Sequence, residues 1–361
     1  VAVGNHEFDF GPGRLADIIN ASAQNGAIPP VLLSNAVFSE EDPADDGLAE
    51  LFIKGIMHRK LIIERDGLRI GFFSLMGIEA DENAAFAPPV TFAKQVSSAA
   101  TLVEELRYEG CDLVICLSHS GVSKDRKGNY AGEDALLAEK VKGIDVIISG
   151  HSHTLLEKPM IVNGVPIVQT GEYGQNVGKL TLTMAEGKVS VSDYSLVPVD
   201  DRVQGDPEVN ALIEEQKRFI SADILKPLGM DYTKPVAETG FLLQRDETGD
   251  VENSNLGPLV ADAIHSYVNR HVEGGSDLSV VAVGVIRDNI VPGVQTAPDI
   301  FRIMSMGSGN DNVPGYPLSK CYVTGRELKN ILEVLVMAGK SAPSNYCYYS
   351  GIRAGYDPGK G

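Results

Sequence analysis

Positive charge is scarce in this chain. Its 361 residues hold 31 Lys and Arg against 49 Asp and Glu, a formal net charge of −18. That balance argues against a nucleic-acid backbone as partner, because neutralising phosphates takes cationic side chains. An acidic surface mainly keeps a protein in solution. If the substrate is itself an anion, something local must overcome the repulsion, and a metal cluster is the obvious candidate. Long apolar runs are also missing: none reaches the ~18 residues of a membrane-spanning helix, so no span is expected. Cysteine is rare, with Cys111, Cys116, Cys321 and Cys347 showing no CxxC spacing. Cys111 and Cys116 flank an apolar run and read as buried thiols; Cys321 and Cys347 are left open between a disulfide and free thiols. There is no internal repeat and no low-complexity tract. The lack of a signal peptide is uninformative in a chain that opens inside a motif.

Apolar content, at 43%, suffices for two ordinary cores in a chain of this length. Over the first 200 residues short apolar strands alternate with helical patterns, the signature of α/β layering. "VAVG" (1–4) reads as the end of a buried strand, followed by a helix over 12–20 and by "VLLSN" (31–35). "LIIERDGLRIGFFSL" (61–75) is a hairpin turning on Asp66-Gly67 and "MIVNGVPIVQT" (160–170) another turning on Asn163-Gly164. Between them lie an amphipathic helix ended by Gly110, the strand "CDLVICLSHSG" (111–121), a helix near 133–142 and "IDVIISGHSHT" (144–154). A charged helix from about Pro207 reads as a linker, and a second α/β pattern begins at Tyr232, with helices at 255–270 and 325–338 and a strand at 278–283. The expected domains are 1–200, a linker over 201–231, and 232–361.

Three histidine-bearing turns stand out: "GNHEFD" (4–9), "LSHSG" (117–121) and "GHSH" (150–153). Each follows a short apolar run that reads as a buried strand. In open α/β sheets ligands bind in the crevice beyond the carboxyl ends of the strands, so His6, His119, His151 and His153 are expected on one rim. A single histidine after a strand is usually a cap or a surface residue. Three such turns, with Gly and Ser letting the backbone approach closely, point instead to a metal, for which imidazole is the commonest ligand.

The turns resemble the calcineurin-like metallophosphoesterase superfamily, whose blocks run D-x-H, G-D, G-N-H-[DE], a strand-end His, and G-H-x-H. The last three are present in order and the first two are not. Charge balance agrees: Asn5, His119, His151 and His153 are neutral ligands, whereas a pair of divalent ions wants carboxylates as well. The expectation is that the missing aspartates lie upstream of Val1, that the C-terminal end is likewise incomplete, and that the fragment alone is inactive or weakly active. "GNHEFDFG", "LSHSG", "GHSHT", "VNGVPIVQTGEYGQNVGKL" (162–180) and "NSNLGPLVADA" (253–263) narrow the resemblance to the 5′-nucleotidase / UDP-sugar hydrolase family.

This resemblance implies an N-terminal β-sandwich flanked by helices in four αββα layers, a linker helix and a second α/β substrate-binding domain. It implies two divalent ions (Zn, Mn, Co or Fe), with Asn5, His119 and His151 on the second and His153 on the first. His6 would be the catalytic histidine and Asp9 the partner that orients it, while Glu7 and Phe8 are structural. The reaction implied is cleavage of a nucleotide phosphate ester by metal-bound hydroxide. In the second domain Arg287, in "AVGVIRDNI" (282–290), matches the family arginine, and Arg245 is a weaker phosphate contact. Met306, in "MSMGSGND" (304–311), stands where a stacking Phe is expected. A thioether offers no aromatic face, and base stacking is worth about 1–3 kcal/mol. Cyclic-nucleotide diester hydrolysis or thiosulfohydrolase-like chemistry on the same metals, and a catalytically silent binding protein, are therefore the alternatives. The family likeness also implies a periplasmic or cell-surface location. Metal identity, physiological substrate and oligomeric state stay open.

Overall fold

The computed structural model describes residues 1–124, 130–185, 187–245, 254–307, 309, 315–341, 345–353 and 355. The chain divides into two compact units, Val1–Gln204 and Gly205–Gly361.

In the first unit, a 3₁₀ turn at Asn5–Phe8 leads into helix α1 (Gly11–Asn25), with Pro12 in its opening turn. There follow β1 (Val31–Leu32), α2 (Asp46–Ile53), β2 (Met57–His58), β3 (Lys60–Arg65), β4 (Leu68–Met76), α3 (Gln95–Tyr108) and β5 (Leu113–His119). Further along come α4 (Glu133–Lys140), β6 (Val146–Ser149), β7 (Met160–Val162), β8 (Val165–Val168), β9 (Asn176–Ala185) and β10 (Lys188–Pro198), with shorter elements between. Strands β3 to β8 make one sheet in the order β7-β8-β6-β5-β4-β3. Its four central strands are parallel and both edges are closed by hairpins. Asp66-Gly67 and Asn163-Gly164 turn these hairpins with positive φ at both positions of each pair, the type I′ geometry that matches strand twist.

Register decides where the chemistry sits. Met76 pairs with His119, and Ser118 with Ser149, so β4, β5 and β6 all end on one line. A smaller parallel pair, β1 with β2, continues through a bridge from Leu32 to Ala2. It delivers the 3₁₀ turn that carries Asn5 and His6.

Two cores hold this unit. α3 buries Ala99, Leu102, Val103 and Leu106, at helical spacing, against Phe73, Val114, Cys116, Ile147 and Ile167 of the sheet. α1 and α2 bury Leu15, Ile19, Leu48 and Leu51 with Val3, Phe8, Val31 and Met57. The β9–β10 hairpin, with a register shift between Thr181 and Leu182, is an element for which the sequence reading named no strands.

The second unit opens with α5 (Pro207–Phe219), whose first amides donate to the Asp206 carboxylate at 2.9 and 3.1 Å. β11 (Pro235–Thr239), α6 (Leu256–His271), β12 (Ser279–Ala282), β13 (Gly293–Thr296), α7 (Gly325–Ser341) and β14 (Cys347–Ser350) follow. β11 pairs with β13 and β12 with β14, both antiparallel. α6 lies on β12 and β14 over a core of Leu256, Ala261, Val281, Ile286, Ile303 and Tyr348. Gly257 of "SNLG" has a packing reason: a Cβ there would sit 2.2 Å from the Tyr348 ring. All four cysteines are free thiols, with Cys321 exposed and Cys347 buried. No helix among the described residues is long and apolar enough to cross a membrane.

Candidate metal centre and substrate residues

The 3₁₀ turn after Gly4 is closed by its own side chain: Glu7 Oε2 accepts from the Gly4 amide at 2.6 Å. Phe8 is fully buried and packs edge-on against Phe92. Glu7 and Phe8 therefore hold the backbone while Asn5 and His6 are presented at the rim. Asn5 is buried, and its Oδ1 lies 2.9 Å from His119 Nε2. This contact needs Gly4 to be glycine, because a Cβ there would lie 2.6 Å from His119 Cε1 and 2.7 Å from Nε2.

His151 comes up beside His119, with ring centroids 5.1 Å apart. Gly150 lets the turn pass over the His119 ring, where a Cβ would lie 3.3 Å from Nδ1. His151 and His153 both take left-handed backbone, at φ 69° and 54°. For residues with a Cβ that conformation costs of order 1–2 kcal/mol and persists where the surroundings enforce it, as at functional sites. Burial, and then the neighbouring imidazoles of His151, His6 and His153, push His119 down to about 4. Histidines from all three turns thus act on His119.

His6 Nδ1 faces both carboxylate oxygens of Asp9 at 3.2 Å, leaving Nε2 as its other reactive nitrogen. His153 Nδ1 lies 2.7 Å from Glu172 Oε2, and its ring centroid is 6.3 Å from that of Tyr173, another left-handed residue at φ 56°. Beneath the rim, Asp134 is completely buried. Burial raises its pKa to about 6, against the pull of hydrogen bonds from Ser118, Ser149 and the Gly121 amide.

In the second unit Arg245 and Arg287 are neighbours: the Arg245 guanidinium donates to the Arg287 carbonyl at 3.1 Å. Arg287 Nη1 donates to the Gly284 carbonyl at 3.1 Å, and its amide to the Ile303 carbonyl at 2.8 Å. Met306 lines an apolar cavity of about 210 Å³ with Ile264, Val285, Met304, Tyr316 and Leu318. Ser308, Asn310 and Asp311 of the "MSMGSGND" segment lie outside the described residues.

Residues 1–155 match the calcineurin-like phosphoesterase family, and residues 235–361 match the 5′-nucleotidase C-terminal domain. The chain thus carries a calcineurin-like phosphoesterase domain followed by a 5′-nucleotidase C-terminal domain. It is 27% identical over 355 residues to the trifunctional nucleotide phosphoesterase protein YfkN of Bacillus subtilis, covering 91% of this chain and 22% of the relative. It is 26% identical over 286 residues to a 5′-nucleotidase of Diplobatis ommata, covering 73% of this chain and 44% of that one. The chain thus spans less than half the length of these two relatives. The solved 5′-nucleotidase precursor from Thermus thermophilus shares its fold, with a TM-score of 0.71 and 23% identity over 97% of this chain and 65% of that chain.

A calcineurin-like phosphoesterase domain implies divalent metal ions. The donors on this rim suit them in kind, since imidazole nitrogen and amide oxygen both bind divalent transition metals. Asn5 Oδ1 and His119 Nε2 are 2.9 Å apart. Among the described residues no three His, Cys, Asp or Glu side chains gather tightly enough to hold a metal by themselves. The set that could hold one is His119 and His151 with the Asn5 amide, and it is neutral.

Asp134 and Glu172 are not among the residues that the three histidine turns single out. Glu172 stands in the quoted "GEYGQN" stretch and was legible as an acid shortly beyond "GHSHT" in the same block. Asp134 carried no signal, because an acid in the first turn of a helix is what the helix dipole favours anyway.

Proposed function

We propose that this phosphoesterase hydrolyses phosphate monoesters of nucleotides with the help of two divalent ions. The observation that carries the reading is the meeting of Asn5, His119 and His151 on one line of strand ends, beside a histidine already paired with a carboxylate. In this reading Asn5, His119 and His151 hold one ion and His153 contributes to the other, with Zn, Mn, Co or Fe all compatible with such donors. When bound, the ions supply positive charge to the phosphoryl oxygens and make a water acidic enough to react at neutral pH. Asp9 accepts from His6 Nδ1, which fixes the ring and raises the basicity of Nε2. Nε2 then holds a proton toward the phosphoryl oxygens, where charge accumulates during in-line transfer. Glu172 plays the orienting part for His153. Within the second unit, Arg287, Arg245 and Met306 are the proposed substrate-binding residues. The acidic surface makes the ions the local counter to an anionic substrate. The same reading places the enzyme in the periplasm or at the cell surface.

Met306 favours a second reading of the substrate. With a thioether at 306 in place of the expected stacking Phe, though Tyr316 lines the same cavity, a sulfur-oxyanion conjugate, which has no base to stack, is the alternative for the same metal core, and a cyclic nucleotide is a further one. The test is phosphate release by the intact metal-loaded protein from 5′-AMP, compared with hydrolysis of 2′,3′-cyclic AMP and of a sulfonate conjugate. Turnover of 5′-AMP that falls about 10²–10⁴-fold in His6→Asn supports the proposal. No turnover of any of the three by metal-loaded wild type would leave a binding protein.

A further inference from the structure

The first turn of α4 holds three strand ends at once. Glu133 accepts from the amides of Ile78 (2.8 Å) and Glu79 (3.0 Å), just beyond β4. Asp134 accepts at 2.5 Å from the hydroxyl of Ser118, next to His119 on β5, and at 2.5 Å from that of Ser149 on β6, two residues before His151. The Gly121 amide donates to Asp134 Oδ2 at 3.1 Å, and the Asp134 amide donates back to the Gly121 carbonyl at 3.2 Å. These donors to the carboxylate come from the histidine-bearing segments, not from α4 itself, so capping a helix does not account for them.

The direction of the hydrogen bonds identifies Asp134 as the end of a series. Gln95 Nε2 donates to Ser120, whose hydroxyl lies 2.8 Å from that of Ser118. With Ser118 committed to Asp134, Ser120 must donate to Ser118. Every group in the row therefore points its proton toward one completely buried acceptor. The two turns also interlock above it: Ser152 Oγ accepts from the Val122 amide at 3.1 Å and Thr154 donates to the Val122 carbonyl at 2.8 Å. Ser152 fills the space beside Gly121, where a Cβ would lie 2.5 Å from it.

We infer that Asp134 is a positioning residue that sets the separation of His119 and His151, acting through Ser118, Ser149 and the Gly121 amide. Its carboxylate is held by protein groups, Ser118, Ser149 and the Gly121 amide. For its metal readout the inference rests on the phosphoesterase reading above; for its geometric readout it does not. Asp134→Asn keeps the shape but turns one acceptor oxygen into N–H donors that face groups already donating, so the hydroxyl row must reverse, and its hold on the two turns weakens.

The test compares wild type with Asp134→Asn in the intact protein by Co²⁺ titration of the metal-stripped form and by crystal structures. The expected result is a 10–100-fold loss of Co²⁺ affinity and a changed spacing of the His119 and His151 rings, in a variant that still folds by circular dichroism. Ser149→Ala removes one donor and leaves the carboxylate in place. It should weaken Co²⁺ binding by a smaller factor, and it serves if Asp134→Asn does not fold. A folded variant with unchanged ring spacing and Co²⁺ affinity, whatever its loss of thermal stability, overturns the inference. A shifted ring pair in a protein whose wild type hydrolyses no phosphate ester upholds it and removes the phosphoesterase reading instead.

Discussion

Replacing His119 should tilt the pH dependence of stability of the metal-stripped protein in one direction, and replacing Asp134 should tilt it in the other. His119 is held at about 4 in the folded protein against 6.5 ordinarily. The unfolded chain therefore takes up a proton between these values that the folded one does not, and the contribution present above pH 6.5 is lost as pH falls to 4. Asp134 works the other way. Its folded value is about 6 against 3.8, so the folded state keeps a proton that the unfolded chain has released. Its contribution is present below pH 3.8 and is lost as pH rises through 6. At about 1.4 kcal/mol per pH unit each displacement amounts to about 3 kcal/mol, and over pH 4–6 the two oppose each other almost completely. Relative to wild type, His119→Asn should therefore lose about 3 kcal/mol of stability as pH rises from 4 to 6.5, whereas Asp134→Asn should gain a similar amount. Urea unfolding followed by circular dichroism, with chelator throughout, measures both, and titrating groups remote from the histidine turns cancel in the differences. Difference profiles of the same sign for the two variants would refute the argument, because burial of an acid and of a base must act in opposite senses.

Other expectations follow from individual contacts. Gly4→Ala places a methyl within 2.6 Å of the His119 ring, and should lower Co²⁺ affinity at least tenfold with an overpacking cost of about 1–3 kcal/mol, both read by titration and denaturation. Asp9→Asn should reduce kcat for 5′-AMP by about 10–100-fold through loss of His6 orientation while leaving the melting temperature nearly unchanged. Leu106→Ala opens a cavity beneath the large sheet at a fully buried position, and should destabilise by about 2–5 kcal/mol in urea. Adding Mn²⁺ at a hundred times its dissociation constant should stabilise the stripped protein by about 2.7 kcal/mol, a gain absent in His119→Ala.

Much of the first unit was legible from local pattern. The hairpins at 61–75 and 160–170 announced themselves through Asp-Gly and Asn-Gly, since such pairs adopt left-handed backbone at both turn positions with little strain. The helix over 97–110 declared itself through Leu102, Val103 and Leu106 at helical spacing. Strands ending in histidine at 119 and just before 151 were readable because buried parallel strands are short apolar runs. The β9–β10 hairpin went unnamed although Leu180, Leu182 and Met184 alternate with polar residues. Its two strands pair only with each other among the described residues, and one half-buried face gives a weak hydrophobic signal. Whether Cys321 meets Cys347 could not be read at all, because pairing depends on distance in space and not along the chain; one thiol proved exposed and the other buried.

By itself the sequence determined the three histidine turns, the strands that carry them and the glycines that let the backbone come close, since strand, turn and close approach are local requirements written in residue type. Only the tertiary structure decided that β4, β5 and β6 end on one line, that Asn5 meets His119, and that Asp134 gathers Ser118, Gly121 and Ser149. Those facts depend on strand order and register among segments more than a hundred residues apart in the case of Asn5 and His119. A pairing shifted by one residue would turn every side chain to the opposite face, and no single segment carries the information that prevents it.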